Sequence, residues 1–155
     1  MAVNPTPEEY RGLTPVLGVD DAARAIDFYK QAFGAVERMR MPGPDGKIAH
    51  AELEIAGGVV MLSDPFEGAT VKAPKELAGT SVGVFLYVED VDGTVQRALD
   101  AGATETMPVQ DMFWGDRYGK VRDPFGHEWQ VATHVEDVPP DEMEERAKQA
   151  MAGMS

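Results

Sequence analysis

Two clusters in this chain hold the residue types that chemistry needs. His50 and Glu52 stand two apart in Ile48-Ala49-His50-Ala51-Glu52-Leu53-Glu54-Ile55, where apolar and polar residues alternate. On a strand this spacing places both on one face. An imidazole beside a carboxylate there can move a proton or hold a divalent metal, and the same spacing also describes two neighbours on a wet surface. The second cluster is Phe113-Trp114-Gly115-Asp116-Arg117-Tyr118. Trp114 and Tyr118 offer rings for a flat ligand, and Arg117 can grip a carboxylate or phosphate through two bonds. The plainer account has Trp114 packing under a loop and Arg117 pairing with Asp116 or Asp123. His127 follows a turn and precedes Trp129, which makes it a residue that orients a loop; His134 reads as a surface or interface residue. Other chemistries find little here. The chain has no cysteine, which excludes thiolate catalysis, disulfides and cysteine zinc sites. No phosphate loop, nucleophile elbow or His-Glu-x-x-His helix is present, and no serine has an obvious histidine partner.

The elements that must position these residues occur twice. Val19-Asp20-Asp21-Ala22-Ala23-Arg24-Ala25-Ile26-Asp27-Phe28-Tyr29 is echoed by Val88-Glu89-Asp90-Val91-Asp92-Gly93-Thr94-Val95-Gln96-Arg97-Ala98, 69 residues later. Each time an apolar run stops at an acidic pair, a helical pattern follows, and a glycine closes it, at Gly34 and at Gly102. Asp20 or Asp21 can cap the first helix, and Ala22, Ala25, Ile26, Tyr29 and Phe33 form its buried stripe. Strands are expected at 13–19, 36–41, 48–56 and 59–63, with Gly57-Gly58 turning a hairpin. In the second half they are expected at 82–88, 104–109, 118–122 and 127–134, with a helix over 91–101. The order strand, helix, three strands, twice, predicts an α+β fold of paired βαβββ modules around a shared cleft. We divide the chain into a tail (1–12), one domain (13–134) of modules 13–64 and 81–134 joined by the linker 65–80, and a C-terminal helical tail (135–155). In that last helix, Glu142/Arg146 and Glu144/Lys148 are spaced for ion pairs.

Composition narrows the partners. The charge of −13, from 27 acidic and 14 basic residues, argues against nucleic acid and anionic membranes, which need clustered cations. No apolar run approaches the roughly 18 residues needed to span a bilayer. The first twelve residues have no apolar signal region, so cytoplasmic residence is expected.

Val19-Asp20-Asp21 running into Ile26-Asp27-Phe28-Tyr29, and Asp123-Pro124-Phe125-Gly126-His127 before the last strand, resemble the vicinal oxygen chelate superfamily over about 13–134. That group includes glyoxalase I, extradiol dioxygenases and the fosfomycin- and bleomycin-resistance proteins. Phe113-Trp114-Gly115-Asp116-Arg117-Tyr118-Gly119 resembles its PhnB-like branch. The resemblance implies a divalent metal held by His and Glu from central strands of both modules. Counting along this chain puts the four ligand positions at Thr14, Met61, Gly83 and Gln130. None is His, Asp or Glu, so no metal and no other cofactor is expected. Strand alternation then lines the cleft with Thr14, His50, Glu52, Met61, Phe85, Tyr87 and Gln130, with Phe113, Trp114, Arg117 and Tyr118 beside it. Gly83 is expected to leave room in the floor. An aromatic, acidic cleft suits an organic, cationic ligand. The leading expectation is a homodimer that binds a small organic molecule without metal, as drug-sequestering relatives do. The alternatives are a metal-dependent lyase, isomerase or dioxygenase using His50 and Glu52, and an accessory dimer module with no ligand.

Overall fold

The computed structural model describes residues 2–10 and 12–154. It contains two four-stranded sheets, each built from one βαβββ unit. In the first unit β1 (Val16–Gly18) leads into α1 (Ala22–Phe33), then β2 (Val36–Pro42), β3 (Ile48–Ile55) and β4 (Gly58–Ser63). In the second, β5 (Gly83–Tyr87) leads into α3 (Val91–Asp100), β6 (Thr104–Asp111), β7 (Asp116–Arg122) and β8 (Glu128–His134). The strand orders are β1-β4-β3-β2 and β5-β8-β7-β6, with β1–β4 and β5–β8 parallel and the rest antiparallel. A short helix, α2 (Pro74–Leu77), interrupts the connection between units, and α4 (Pro140–Ala152) ends the chain.

The repeat extends to the capping chemistry. Asp21 and Asp90 accept from the backbone N–H groups of Arg24 and Gly93 and so cap α1 and α3, satisfying donors that the helix itself leaves open. Asp64 also accepts from the N–H of Ala22, and 69 residues on, the Thr133 hydroxyl accepts from that of Val91. The β3–β4 turn is made by Ala56 and Gly57, both at positive φ, as a two-residue hairpin of the type that follows strand twist requires. The glycine pair expected there is therefore displaced by one residue, and Gly58 already pairs with Ile55.

Both helices lie on the same side of their sheets and share one core. Leu17, Ile26, Tyr29, Leu53 and Leu62 of the first unit merge with Leu86, Val95, Val121, Trp129 and Val131 of the second. The rings of Phe33 and Trp129 are 4.6 Å apart and those of Tyr29 and Trp129 5.2 Å. Asp123 joins the units. Its Oδ1 accepts from the N–H groups of Phe125 and His127, and its Oδ2 from the Tyr29 hydroxyl at 2.6 Å and Trp129 Nε1 at 2.8 Å. His127 adds a second link, Nε2 to the Gly18 carbonyl at 2.8 Å. It therefore orients the loop as expected and also ties it to the other unit. With the helices occupying one side, the opposite faces of both sheets lie clear of α1 and α3 and form the open side of the fold.

Candidate binding face

Alternation along each strand decides what the open face displays. On the first sheet, Val16 lies opposite Met61, Met61 opposite Glu52 and Glu52 opposite Met39. The next row carries Ser63, His50 and Met41. On the second sheet one row runs Tyr87, Ala132, Tyr118 and the next Phe85, Gln130, Lys120. A cleft of about 750 Å³ opens where β4 and β5 approach, with Thr14, Glu54, Val59, Phe85 and Tyr87 among its lining.

The first sheet centres on Glu52. The Tyr10 hydroxyl donates to Glu52 Oε2 at 2.5 Å, and His50 Nε2 lies 3.1 Å from Oε1. The hydroxyl bond is the largest reason the Glu52 carboxyl sits below its ordinary range; burial opposes it and His50 reinforces it. Tyr10 belongs to a 3-10 turn, Glu8–Tyr10, in the segment read as a tail. Arg38 stands 5.5 Å from the centre of its ring, within the range of a cation–π contact.

The second sheet is aromatic. Phe85 and Tyr118 are stacked with centroids 6.1 Å apart, Phe85 meets Tyr87 edge-on at 5.0 Å, and Trp114 meets Tyr118 edge-on at 5.5 Å. Phe113 packs edge-on against Trp114 at 5.1 Å. Phe85 is 44% exposed and Tyr87 56%, although large aromatic rings are ordinarily the most rewarding to bury. The Tyr118 hydroxyl donates to Gln130 Oε1 at 2.5 Å.

At one end of this stripe lies a network the sequence reading did not foresee. Asp116, 2% exposed, accepts from the Tyr87 hydroxyl at 2.8 Å and from Trp114 Nε1 at 3.0 Å, and pairs with His134 Nδ1 at 2.8 Å. His134 Nε2 reaches Asp137 at 2.8 Å. Burial by itself would push the Asp116 carboxyl up, but the bonds from His134, Tyr87 and Trp114 together hold it below its usual range. His134 is raised above its ordinary 6.5, first by Asp137 and then by Asp116. A raised folded-state value means that the stabilisation is whole below the unfolded histidine value and is lost as pH rises through the folded one. We therefore expect the wild type to lose stability relative to His134→Gln as pH rises above 6.5. Urea midpoints across that range measure it; parallel pH profiles would contradict it.

The structure brings most of the candidate residues together. Thr14, His50, Glu52, Met61, Phe85, Tyr87, Tyr118 and Gln130 belong to the open face, and Phe113 and Trp114 border it. Arg117 does not join them. It alternates with Tyr118 along β7 and therefore points to the helix side, where it grips Asp92 through Nε at 2.7 Å and Nη2 at 2.8 Å and reaches Asp111 at 3.1 Å. Gly83 lines two cavities, of about 530 and 430 Å³, and a Cβ there would lie 2.9 Å from Gln130 Nε2.

The Glyoxalase/Bleomycin resistance protein/Dioxygenase superfamily profile matches residues 13–131. The chain belongs to that superfamily. Among its relatives, the uncharacterized protein Mb0911c of Mycobacterium bovis is 51% identical over 147 residues, covering 93% of this chain and 94% of its own. The crystal structure of TioX from Micromonospora sp. ML1 superposes with a TM-score of 0.63 at 35% identity, covering 79% of this chain and 98% of TioX. The PhnB protein of Bacillus cereus shares the fold, with a TM-score of 0.62 at 18% identity over 79% of this chain and 99% of its own. The resemblance implies a divalent metal, and the positions that would supply it here do not fit one. Thr14, Met61 and Gln130 are neutral, Gly83 has no side chain, and the Gln130 carbonyl oxygen is already engaged by Tyr118. Among the described residues no group of three or more His, Asp or Glu side chains is arranged to hold an ion. None of their helices is long and apolar enough to cross a membrane.

Proposed function

We propose that this superfamily member binds a small, flat, cationic organic molecule across the open faces of its two modules, without a catalytic metal. The observation that carries this reading is the exposure of Phe85 and Tyr87 on a face that also bears the Glu52 and Asp116 carboxylates. Exposed rings supply stacking area with little loss of side-chain freedom. Carboxylates held below their usual range stay ionised and favour a cation. On this reading the protein sequesters its ligand, as a drug-binding protein would, and chemistry is left to other proteins. It works in the cytoplasm as a homodimer, with a second copy covering the open face so that the ligand is enclosed rather than laid on a surface.

Titration with proflavine, a flat cationic dye, followed by fluorescence, tests the reading. Saturable binding is expected, at least tenfold weaker in Phe85→Ala and weaker for an anionic dye of similar size. Binding indifferent to Phe85→Ala, or no saturable binding by a panel of flat cations, sinks it. Elemental analysis of protein purified without chelator tests the metal-free clause. One divalent ion per chain would replace this reading with a metal-dependent enzyme using His50 and Glu52.

A further inference from the structure

The side chain of Tyr10 occupies a site. Its ring lies under the Arg38 guanidinium at 5.5 Å, and its hydroxyl donates to Glu52 Oε2 at 2.5 Å while His50 holds the other carboxylate oxygen at 3.1 Å. Its 3-10 turn spans three residues, none of them buried, and rests against β4. Glu52, in contrast, is anchored in mid-strand with partners on both sides, Met39 on β2 and Met61 on β4. The acceptor is thus built into the sheet, and the donor stands on a short turn that has no buried residue of its own. Displacing that turn uncovers little core, so a ligand can compete for the place of the Tyr10 side chain.

We infer that Glu52, His50 and Arg38 form a subsite for a phenolic hydroxyl, and that Tyr10 fills it as an internal stand-in until a ligand displaces it. The ligand class is an aromatic ring bearing a free hydroxyl: the carboxylate takes the hydroxyl proton donor and the guanidinium covers the ring face. His50 keeps Glu52 in place from the side the ligand does not need. This rests on the open face being the binding surface, and it assigns to the first sheet a recognition task separate from stacking on the second. A ligand satisfying both would carry a phenol at one end and a flat cationic system at the other.

The subsite is tested with 4-methylphenol, the chemistry of the tyrosine side chain itself, by amide chemical-shift titration of the full chain. Wild type competes with its own Tyr10, so Tyr10→Ala is expected to bind the probe at least tenfold more tightly. Tyr10→Phe, which keeps the ring and gives up the hydroxyl bond, is expected to fall between them. Adding Glu52→Gln to Tyr10→Ala should abolish the gain, and toluene should bind neither protein. A tightening of less than threefold in Tyr10→Ala, binding retained in the double variant, or toluene binding as well as the phenol would each overturn the subsite. A Tyr10 that merely anchors the segment would lower the Tm of Tyr10→Phe and leave probe affinity unchanged. Proflavine titration of the same proteins separates the two readings. Failure of the phenol test with proflavine binding intact removes the subsite alone, and the converse leaves the first sheet as the recognition surface.

Discussion

Replacing Asp123 by alanine is expected to cost about 4 kcal/mol of folding stability. The side chain is 3% exposed and accepts from four donors, two of them the buried Tyr29 hydroxyl and Trp129 indole. Alanine leaves both ring donors inside the core without a partner, at about 1–3 kcal/mol each. The buried Phe125 and His127 amides lose their acceptor as well, which adds to the loss. Asp123→Asn retains the shape and one acceptor oxygen, so about half that loss is expected. Urea unfolding followed by far-ultraviolet circular dichroism gives the number, and near-ultraviolet dichroism reports Trp129. A loss below 1 kcal/mol in Asp123→Ala would show that the junction between units rests on apolar packing alone. The Asp-Pro-x-Gly turn would then owe its place in this chain to backbone geometry.

The second large effect is expected at Gly115. Its φ is +97°, and a Cβ there would sit 2.1 Å from the carbonyl oxygen of Glu136, a separation at which one segment has to move. The β6–β7 turn is held by Asp116 and its three partners, whereas residues 135–138 are held largely through Gly115 itself. The Gly115 carbonyl accepts from the N–H groups of Val135 and Glu136. In Gly115→Ala the C-terminal segment is therefore expected to lift away. Arg146 would lose the Phe113 carbonyl but could keep Glu136 and Glu142, which travel with it. Amide exchange over 136–152 should accelerate at least tenfold, with about 1–3 kcal/mol of backbone strain at the site. The loss of stability with rising pH attributed to His134 should shrink too, because Asp137 leaves with the segment. Exchange unchanged from wild type would mean that the turn yields instead, and Trp114 emission would then shift.

These two residues also mark how far the chain could be read before its structure was known. The repeat, the paired βαβββ order and the helix caps were legible because alternation, three-and-four spacing and acidic caps are local properties. The same alternation identified the open-face residues on β3, β4, β5 and β8. It also held the signal that Arg117 and Tyr118, being adjacent on one strand, face opposite ways; grouping them as a cluster overlooked it. What could not be read depends on contacts distant in sequence. Tyr10 reaches Glu52 from 42 residues away and Tyr29 reaches Asp123 from 94. No period in the sequence links such pairs. His134 and Asp116 were an intermediate case. They become neighbours through the β7–β8 register, which follows once β7 is carried back to Asp116, and the strand expected from sequence began two residues late.

The capping pair Asp64 and Thr133 shows a duplicated unit performing one task with two residue types, and the open faces carry that divergence further. Met61 and Gln130 stand at matching places, as do Val16 and Phe85. One half became carboxylate and thioether, the other aromatic, while the helix sides stayed interchangeable enough to share a core. On the proposed function, a scaffold with near-twofold symmetry thus presents a recognition surface with a head and a tail. A ligand that is itself symmetric would waste half of it, so selection on this surface favours molecules whose two ends differ. The direction in which such a molecule lies is then written into the order of the two copies along the chain.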